Sequence, residues 1–424
     1  MLFMMNILAF FKKSPRRFSA WKRICRLTLA SFAFCLGLFA PALAQTPIRP
    51  EVAKSLQAAQ DALKAGQLDS ALALAQQTLA MPGITALEKP LIQRTLAVAA
   101  LQVKNFPLAV STLENLIQEM PESTPAEQKR SLIESLLNAS QQAQDFTKLV
   151  DWARIYLKLE GSNPSVRPVL IQTLSVLKRH SEVVQEVNEK MRLDEAAKVK
   201  TPESELRMLA VSQRQLKDDS GYSDTLKRLL QNYPSKAYWA EIISRLARQT
   251  NFNQRFDLDL YRLLELTGNM EDAIKYIDMA NLALKVGLPA EAMRVVELAY
   301  AKGLLGKGSD AANHQKLRQQ IQLRLNEDEK AMPALEKSAK DANALASLAD
   351  VYAAQQKWDQ SQAHYTKALA IGGLRREAET RLHAGIALFK LGQKEQAHTM
   401  WDSVKGDATA IELAQLWKSW QPVN

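Results

Sequence analysis

The stretch LADVYAAQQKWDQSQAHYTKALAIGG, Leu348–Gly373, decides between two kinds of protein. It sets Asp350, Asp359 and His364 beside Tyr352 and Tyr365 within a few helical turns, as a reactive constellation would. The same residues also describe two packed helices. Leu345, Leu348, Ala349 and Tyr352 recur at helical spacing, Ser361 and Tyr365 follow on a second run, and Gly372-Gly373 close it. A shift of 36 residues restores the pattern as Arg381, Ala384, Gly385 and Leu388, then Ala397 and Trp401. A pattern that returns at a fixed period points to packing rather than to a reaction.

Working outward, the pattern is found in both other parts of the chain. Ser55, Ala58, Ala59 and Ala62 lead through Gly66 to Ala71 and Ala75; 38 residues later Leu96, Ala97 and Ala100 lead to Ala109, Leu113 and a closing Pro121. In the middle, Tyr276, Met279, Ala280 and Ala283 lead through Gly287 to Ala292 and Val296. Small residues at Ala59, Ala97, Ala280, Ala349 and Gly385 let a paired helix approach, and Tyr352, Tyr365, Trp358 and Trp401 fill the space between successive pairs. Elsewhere the pattern blurs. Around 136–159 Leu137 and Leu149 replace the small residues, the 168–191 stretch keeps only apolar periodicity, and near 206–234 the phase slips. Between 255 and 303 three helices are expected, separated at 267–269 and 286–289.

These spacings resemble the tetratricopeptide repeat (TPR), a helix-turn-helix unit of about 34 residues. The resemblance implies an all-α, TPR-like α-solenoid, a right-handed superhelix in which each unit covers its neighbour's apolar face. Across about residues 222–306 the chain also resembles a group of exported proteobacterial TPR proteins, some of them associated with TonB-type energy-transducing transport. The organisation expected is a signal peptide at 1–44, TPR-like repeats at 45–160, degenerate helical repeats at 161–306, and TPR repeats with a capping helix at 307–424. The cap is the stripe Leu413, Leu416, Trp417 and Trp420, spaced to share one helix face.

The leader is read from charge. Lys12, Lys13, Arg16, Arg17, Lys22, Arg23 and Arg26 precede the first acidic residue, Glu51, and Leu27–Ala44 follows them without a charge. A basic region, an apolar stretch and Ala42-Leu43-Ala44 before Gln45 make a Sec-type signal peptide cleaved after Ala44, with a periplasmic destination. The alternative is an uncleaved anchor, since 18 residues lie at the short edge of a membrane span. Without those seven cations the net charge falls from +10 to +3, too weak a field to imply a nucleic-acid partner. Both cysteines, Cys25 and Cys35, lie in the leader, which leaves the remainder without thiol chemistry.

Motifs for other chemistry are missing from the sequence. The histidines at 180, 314, 364, 383 and 398 show no i, i+4 pair, so no metal site is expected. Gly303–Asp310 has Ser309 where a phosphate-binding loop needs lysine, and reads as a helix stop. Glu327-Asp328-Glu329 reads as a polar turn. No catalytic residue and no cofactor are expected. What remains is a non-catalytic scaffold that binds an envelope protein or peptide, or, in the alternative, an accessory part of an envelope transport or secretion machine held by the anchor. Membrane contact is expected only through an uncleaved leader. In TPR arrays the first helix of each unit builds the inner wall. Projected onto this chain, that wall would present Gln57, Gln60, Lys64, Arg94, Asp278, Asn281, Lys285, Asp350, His383 and Lys390, with Ser347 beside them. The Lys/Asn constellation by which some relatives hold a C-terminal carboxylate is not reproduced.

Overall fold

The computed structural model describes residues 48–420, so the leader and both cysteines lie outside the described residues. Among the described residues the secondary structure is twenty α-helices and one 3-10 turn, with no strand. They fall into two units that meet in sequence at Met120 and Pro121. The first holds α1 (Pro50–Lys64), α2 (Leu68–Leu79), α3 (Glu88–Gln102) and α4 (Phe106–Gln118). The second opens with α5 (Ala126–Gln142), α6 (Phe146–Leu157), α7 (Val166–Val176), α8 (His180–Ala196), α9 (Glu203–Gln215), α10 (Asp219–Asn232) and α11 (Lys236–Ala247). It continues with α12 (Asp257–Leu266), α13 (Ala273–Lys285), α14 (Pro289–Ala301), α15 (Ala311–Ser338) and α16 (Ala342–Ala354). It ends with α17 (Trp358–Ile371), α18 (Glu377–Lys390), α19 (Lys394–Asp402) and α20 (Ala408–Ser419). The three helices expected between 255 and 303 are α12, α13 and α14.

One turn geometry makes the hairpins. After the first helix a single residue takes the left-handed conformation, and the next N–H reaches back to the helix: Asn105 N to Ala100 O at 2.8 Å, Lys357 N to Tyr352 O at 2.9 Å. Glycine supplies the positive φ at Gly66, Gly287 and Gly392; Lys104, Gln144, Lys178, Lys217 and Gln356 do so elsewhere. At Asn105, Asp145 and Asp218 the following side chain caps the second helix by accepting from the N–H three residues on.

The small residues sit where helices touch. Ala59, Ala97, Ala280 and Ala349 are buried. At Gly385 a Cβ would lie 2.3 Å from Trp401 Nε1, which itself donates to Leu382 O at 3.2 Å, so the indole occupies the space that a side chain would take. Tyr352, Tyr365 and Trp401 are buried as bulk, with Trp358 partly buried beside them.

The acidic run 327–329 departs from expectation. It lies inside α15, a 28-residue helix that runs on through Pro333, and not in a turn. Helix-forming neighbours on both sides carry the helix through the charges, and α15 packs against α14 with Leu317 and Ile321 in the shared apolar cluster, while buried His314 accepts from Gly306 N at 3.2 Å.

The two units are built differently. In the first, Val52, Leu56 and Ile92 form one small apolar cluster, Ala59, Ala75 and Leu96 a second, and Ala62, Ala71 and Ala99 a third. In the second, one cluster joins Leu206, Leu226, Trp239, Phe256 and Leu263 to Leu382, Trp401, Leu413 and Trp417. Polar ties secure the same junction: Thr409 Oγ1 accepts from Asn253 N at 3.0 Å, and Asp407 from Asn253 Nδ2 at 2.9 Å. Helix α20 thus packs on α18 and α19 and also reaches α12.

Candidate functional site: a charged cavity between helices

Within the second unit α12, α14, α16, α18 and α20, every second helix, line a cavity of about 280 Å³ together with Trp358 and Tyr365 of α17. Their inward faces would be apolar in a simple stack, yet here four of them carry charge. Both α12 and α14 contain an acid, two residues and an arginine: Asp259 with Arg262, Glu291 with Arg294. Because i and i+3 share a helix face, each arginine lies beside its own acid and also within reach of the neighbouring helix.

The pairs cross. Arg262 donates to both oxygens of Glu291, at 2.9 and 2.6 Å, and to Asp259 at 2.9 Å. Arg294 donates to both oxygens of Glu265, at 2.5 and 2.8 Å. Such two-pronged pairing fixes orientation as well as charge. His383 of α18 completes the circuit: Nε2 lies 3.1 Å from Asp259 Oδ1 and Nδ1 2.8 Å from Asp350 Oδ1 on α16. The Tyr365 hydroxyl donates to the same Asp350 oxygen at 2.5 Å. Arg262 Nη1 comes within 3.4 Å of His383 Nε2, but the two share the Asp259 oxygen rather than bonding each other.

With a carboxylate on each ring nitrogen, His383 is an imidazolium. Burial alone would push its pKa down; the charges and hydrogen bonds of Asp259 and Asp350 together outweigh burial and hold it well above the usual value. Burial would raise Asp259, but His383 and Arg262 bring its pKa to about 2. Burial first, then the Asp350 charge, pushes the Tyr365 hydroxyl well up. Acids and bases here are therefore locked in opposite charge states. Among the described residues no cluster of histidine, cysteine and acid side chains has metal-binding geometry, and both His383 nitrogens are already engaged.

No protein-family model and no curated protein matches the chain. Solved structures do. Yeast Tom70 matches at 11% identity over 87% of this chain and 95% of its own, with a TM-score of 0.25. A tetratricopeptide repeat protein from Parabacteroides merdae matches at 11% identity over 80% and 98%, TM-score 0.29. The TPR2AB domain of yeast Sti1 in complex with pHSP90 matches at 16% identity over 64% and 98%, TM-score 0.30. The fold is all-α and TPR-like. At these scores that statement rests on the chain's own hairpins, their left-handed turns and their small contact residues.

The residues expected on an inner wall separate. Asp350, His383 and Lys390 come together on the cavity. Asp278 on α13 accepts from the Tyr261 hydroxyl at 3.1 Å, and Asn281 and Lys285 are exposed farther along that helix; none of the three lines the cavity. Ser347 is exposed on α16. In the first unit Gln57 donates to Asp61 at 2.9 Å, Lys64 pairs with the same Asp61 at 3.6 Å, and Gln60 and Arg94 are half-buried. Sequence reasoning missed Asp259, Arg262, Glu265, Glu291 and Arg294, and read Trp417 only as part of the cap. The repeated acid-x2-Arg on two successive apolar helices was the available signal.

Proposed function

We propose that the chain is a non-catalytic scaffold of the bacterial periplasm, exported by a Sec-type leader cleaved after Ala44, that binds a segment of an envelope protein at the second unit's cavity. The observation that carries the reading is the convergence of Asp350, His383 and Lys390, from two different helices, on one preformed cavity. Its acids and bases neutralise one another in fixed pairs, which suits holding better than proton transfer. At about 280 Å³ it takes a side chain or a short segment end, and a folded partner would rest on the rim. Among the described residues no helix is long and apolar enough to cross a membrane, so any anchor would have to be the leader.

The test is in-cell photocrosslinking from Ala353 and Gln356, which line the cavity, with Gln57 on α1 as the comparison site. One envelope partner captured from the first two and lost on charge reversal of Lys390 is the expected result; equal capture from Gln57, or none, removes the reading. N-terminal sequencing of the cellular protein, with Gln45 as first residue, separates the exported scaffold from the anchored machine component.

A further inference from the structure

Helix α8 changes character half-way along. Its first half buries Val183 and Val187; after them Asp194 is the only buried residue of the helix, with Met191 half-buried against the large apolar cluster. Leu193 and Val199, on either side of Asp194 in sequence, are 38% and 59% exposed. The end of α8 is therefore held on α9 more by polar groups than by apolar burial, and its attachment depends on their charge.

Three groups make that attachment. Lys190 donates to Asp194 Oδ1 one turn along α8, and Glu205, 4% exposed, meets their charges from the first turn of α9. Each acid has one oxygen, Asp194 Oδ2 and Glu205 Oε2, that is buried and without a donor among the described residues. Burial, the largest influence, raises the Glu205 pKa; Lys190 and the positive end of α9 oppose it, and Asp194 adds to it. The other charges around the joint are committed to one another. Glu203 accepts from the Tyr238 hydroxyl of α11 at 2.8 Å, with Arg207 near that hydroxyl, and Glu195 accepts from Arg228 of α10 at 2.8 Å. Glu189 accepts from Arg192 at 2.7 and 2.8 Å, and Glu186 from Arg167 of α7. The Tyr233 hydroxyl donates to Thr201 O at 2.8 Å and so holds the end of the connector 197–202. With Glu205 ionised, two buried carboxylates share one lysine and each keeps an oxygen without a donor. One proton on Glu205 removes a buried charge and supplies a donor.

We propose that the joint between the end of α8 and the start of α9 is a proton-operated latch, closed while Glu205 is protonated and loosened when it ionises, so that the connector 197–202 is released before the rest of the second unit. The folded chain holds this proton more tightly than the unfolded one. The latch therefore contributes fully below about pH 4.5, and its contribution is lost as pH rises through the raised value. Asp259 behaves in the opposite sense, its contribution being lost as pH falls. None of the three latch residues lines the cavity, so the latch and the binding reading stand or fall separately.

The test is hydrogen exchange on the chain from Gln45 onward, read as protection of the amides of residues 190–206 after correction for the intrinsic rate at each pH, with the amides of α3 as reference. Protection at 190–206 is expected to fall several-fold between about pH 5 and about pH 8 while the reference holds. In Glu205→Gln, which keeps the shape of the side chain and cannot ionise, protection should stay level. Lys190→Met removes the cation that favours ionised Glu205 and should move the midpoint of the fall to higher pH, a displacement that lost packing alone does not produce. Thermal melts at about pH 5 show that the variants are folded, and Lys190→Met carries the test if Glu205→Gln is not. Level protection in the parent chain, an equal fall in Glu205→Gln, or an unmoved midpoint in Lys190→Met would each overturn the proposal.

Discussion

The first unit and the closed end of the second use the same hairpin to opposite effect. From α1 to α4 each apolar cluster joins neighbouring helices, and the firmest ion pair, Arg49 with Glu88, ties the start of α1 to that of α3. Glu88 is held at a pKa of about 2, first by the Arg49 side chain and then by the backbone N–H groups of Thr85 and Arg49. From α12 to α20, residues more than a hundred positions apart share one apolar cluster and one charge network. Local stacking needs only small and large residues at the right interval. Closure needs specific partners, and those partners bring charge inside.

That contrast can be broken most severely at Arg262. Arg262→Met leaves Glu291 buried without its cation and Asp259 with His383 alone, and losing one member of a buried pair costs about 3–5 kcal/mol. A calorimetric scan should show the second unit melting much earlier while the first keeps its transition. Gly385→Ala comes next. The methyl collides with the Trp401 indole, and overpacking of about 1–3 kcal/mol exceeds the roughly 1 kcal/mol alanine gains in a helix. Urea unfolding should show a net loss of about 1 kcal/mol confined to the second unit.

Acid sharpens the comparison. Asp259 has a lowered pKa, so its contribution is present above about pH 4 and is lost as pH falls toward 2. His383 has a raised pKa, so its contribution is full below about pH 6.5 and is lost only as pH rises through the elevated value. Glu88 shares the acid limb in the first unit. Melting temperature against pH should keep an acid limb in Glu88→Gln that belongs to the second unit; disappearance of that limb would mean that Asp259 is not paired as described. The smallest effect is at the turn before α17. Gln356 has φ 59°, and Gln356→Gly relieves left-handed strain that outweighs glycine's greater freedom when unfolded, for a gain of about 0.5–1 kcal/mol in a urea titration.

How much was legible follows from the same contrast. Ala59, Ala97, Ala280, Ala349 and Gly385 could be read because close approach admits few residue types. The turns were legible at Gly66 and Gly287 and hidden at Lys104, Lys178 and Gln356, where a long polar residue takes the same φ and resembles ordinary helix surface. Asp350, His383 and Lys390 emerged from projecting the inner wall of TPR arrays onto the helix register. Asp259, Arg262 and Glu291 did not, because a charge on an apolar helix face reads as solvated until a partner from elsewhere in the chain covers it. The acidic run of α15 misled for the converse reason: three adjacent charges resemble a turn, although helix tolerates them.

The closure of α20 onto the segment before α12 is tested most directly by cysteines at 253 and 409, where Asn253 N now donates to Thr409 Oγ1 at 3.0 Å. From Gln45 onward the chain has no other thiol. Mild oxidation should give an intramolecular disulfide in nearly all molecules, with the melting temperature kept or raised. Thiols that stay free, or that link only between molecules, would show that the two ends of this unit do not meet.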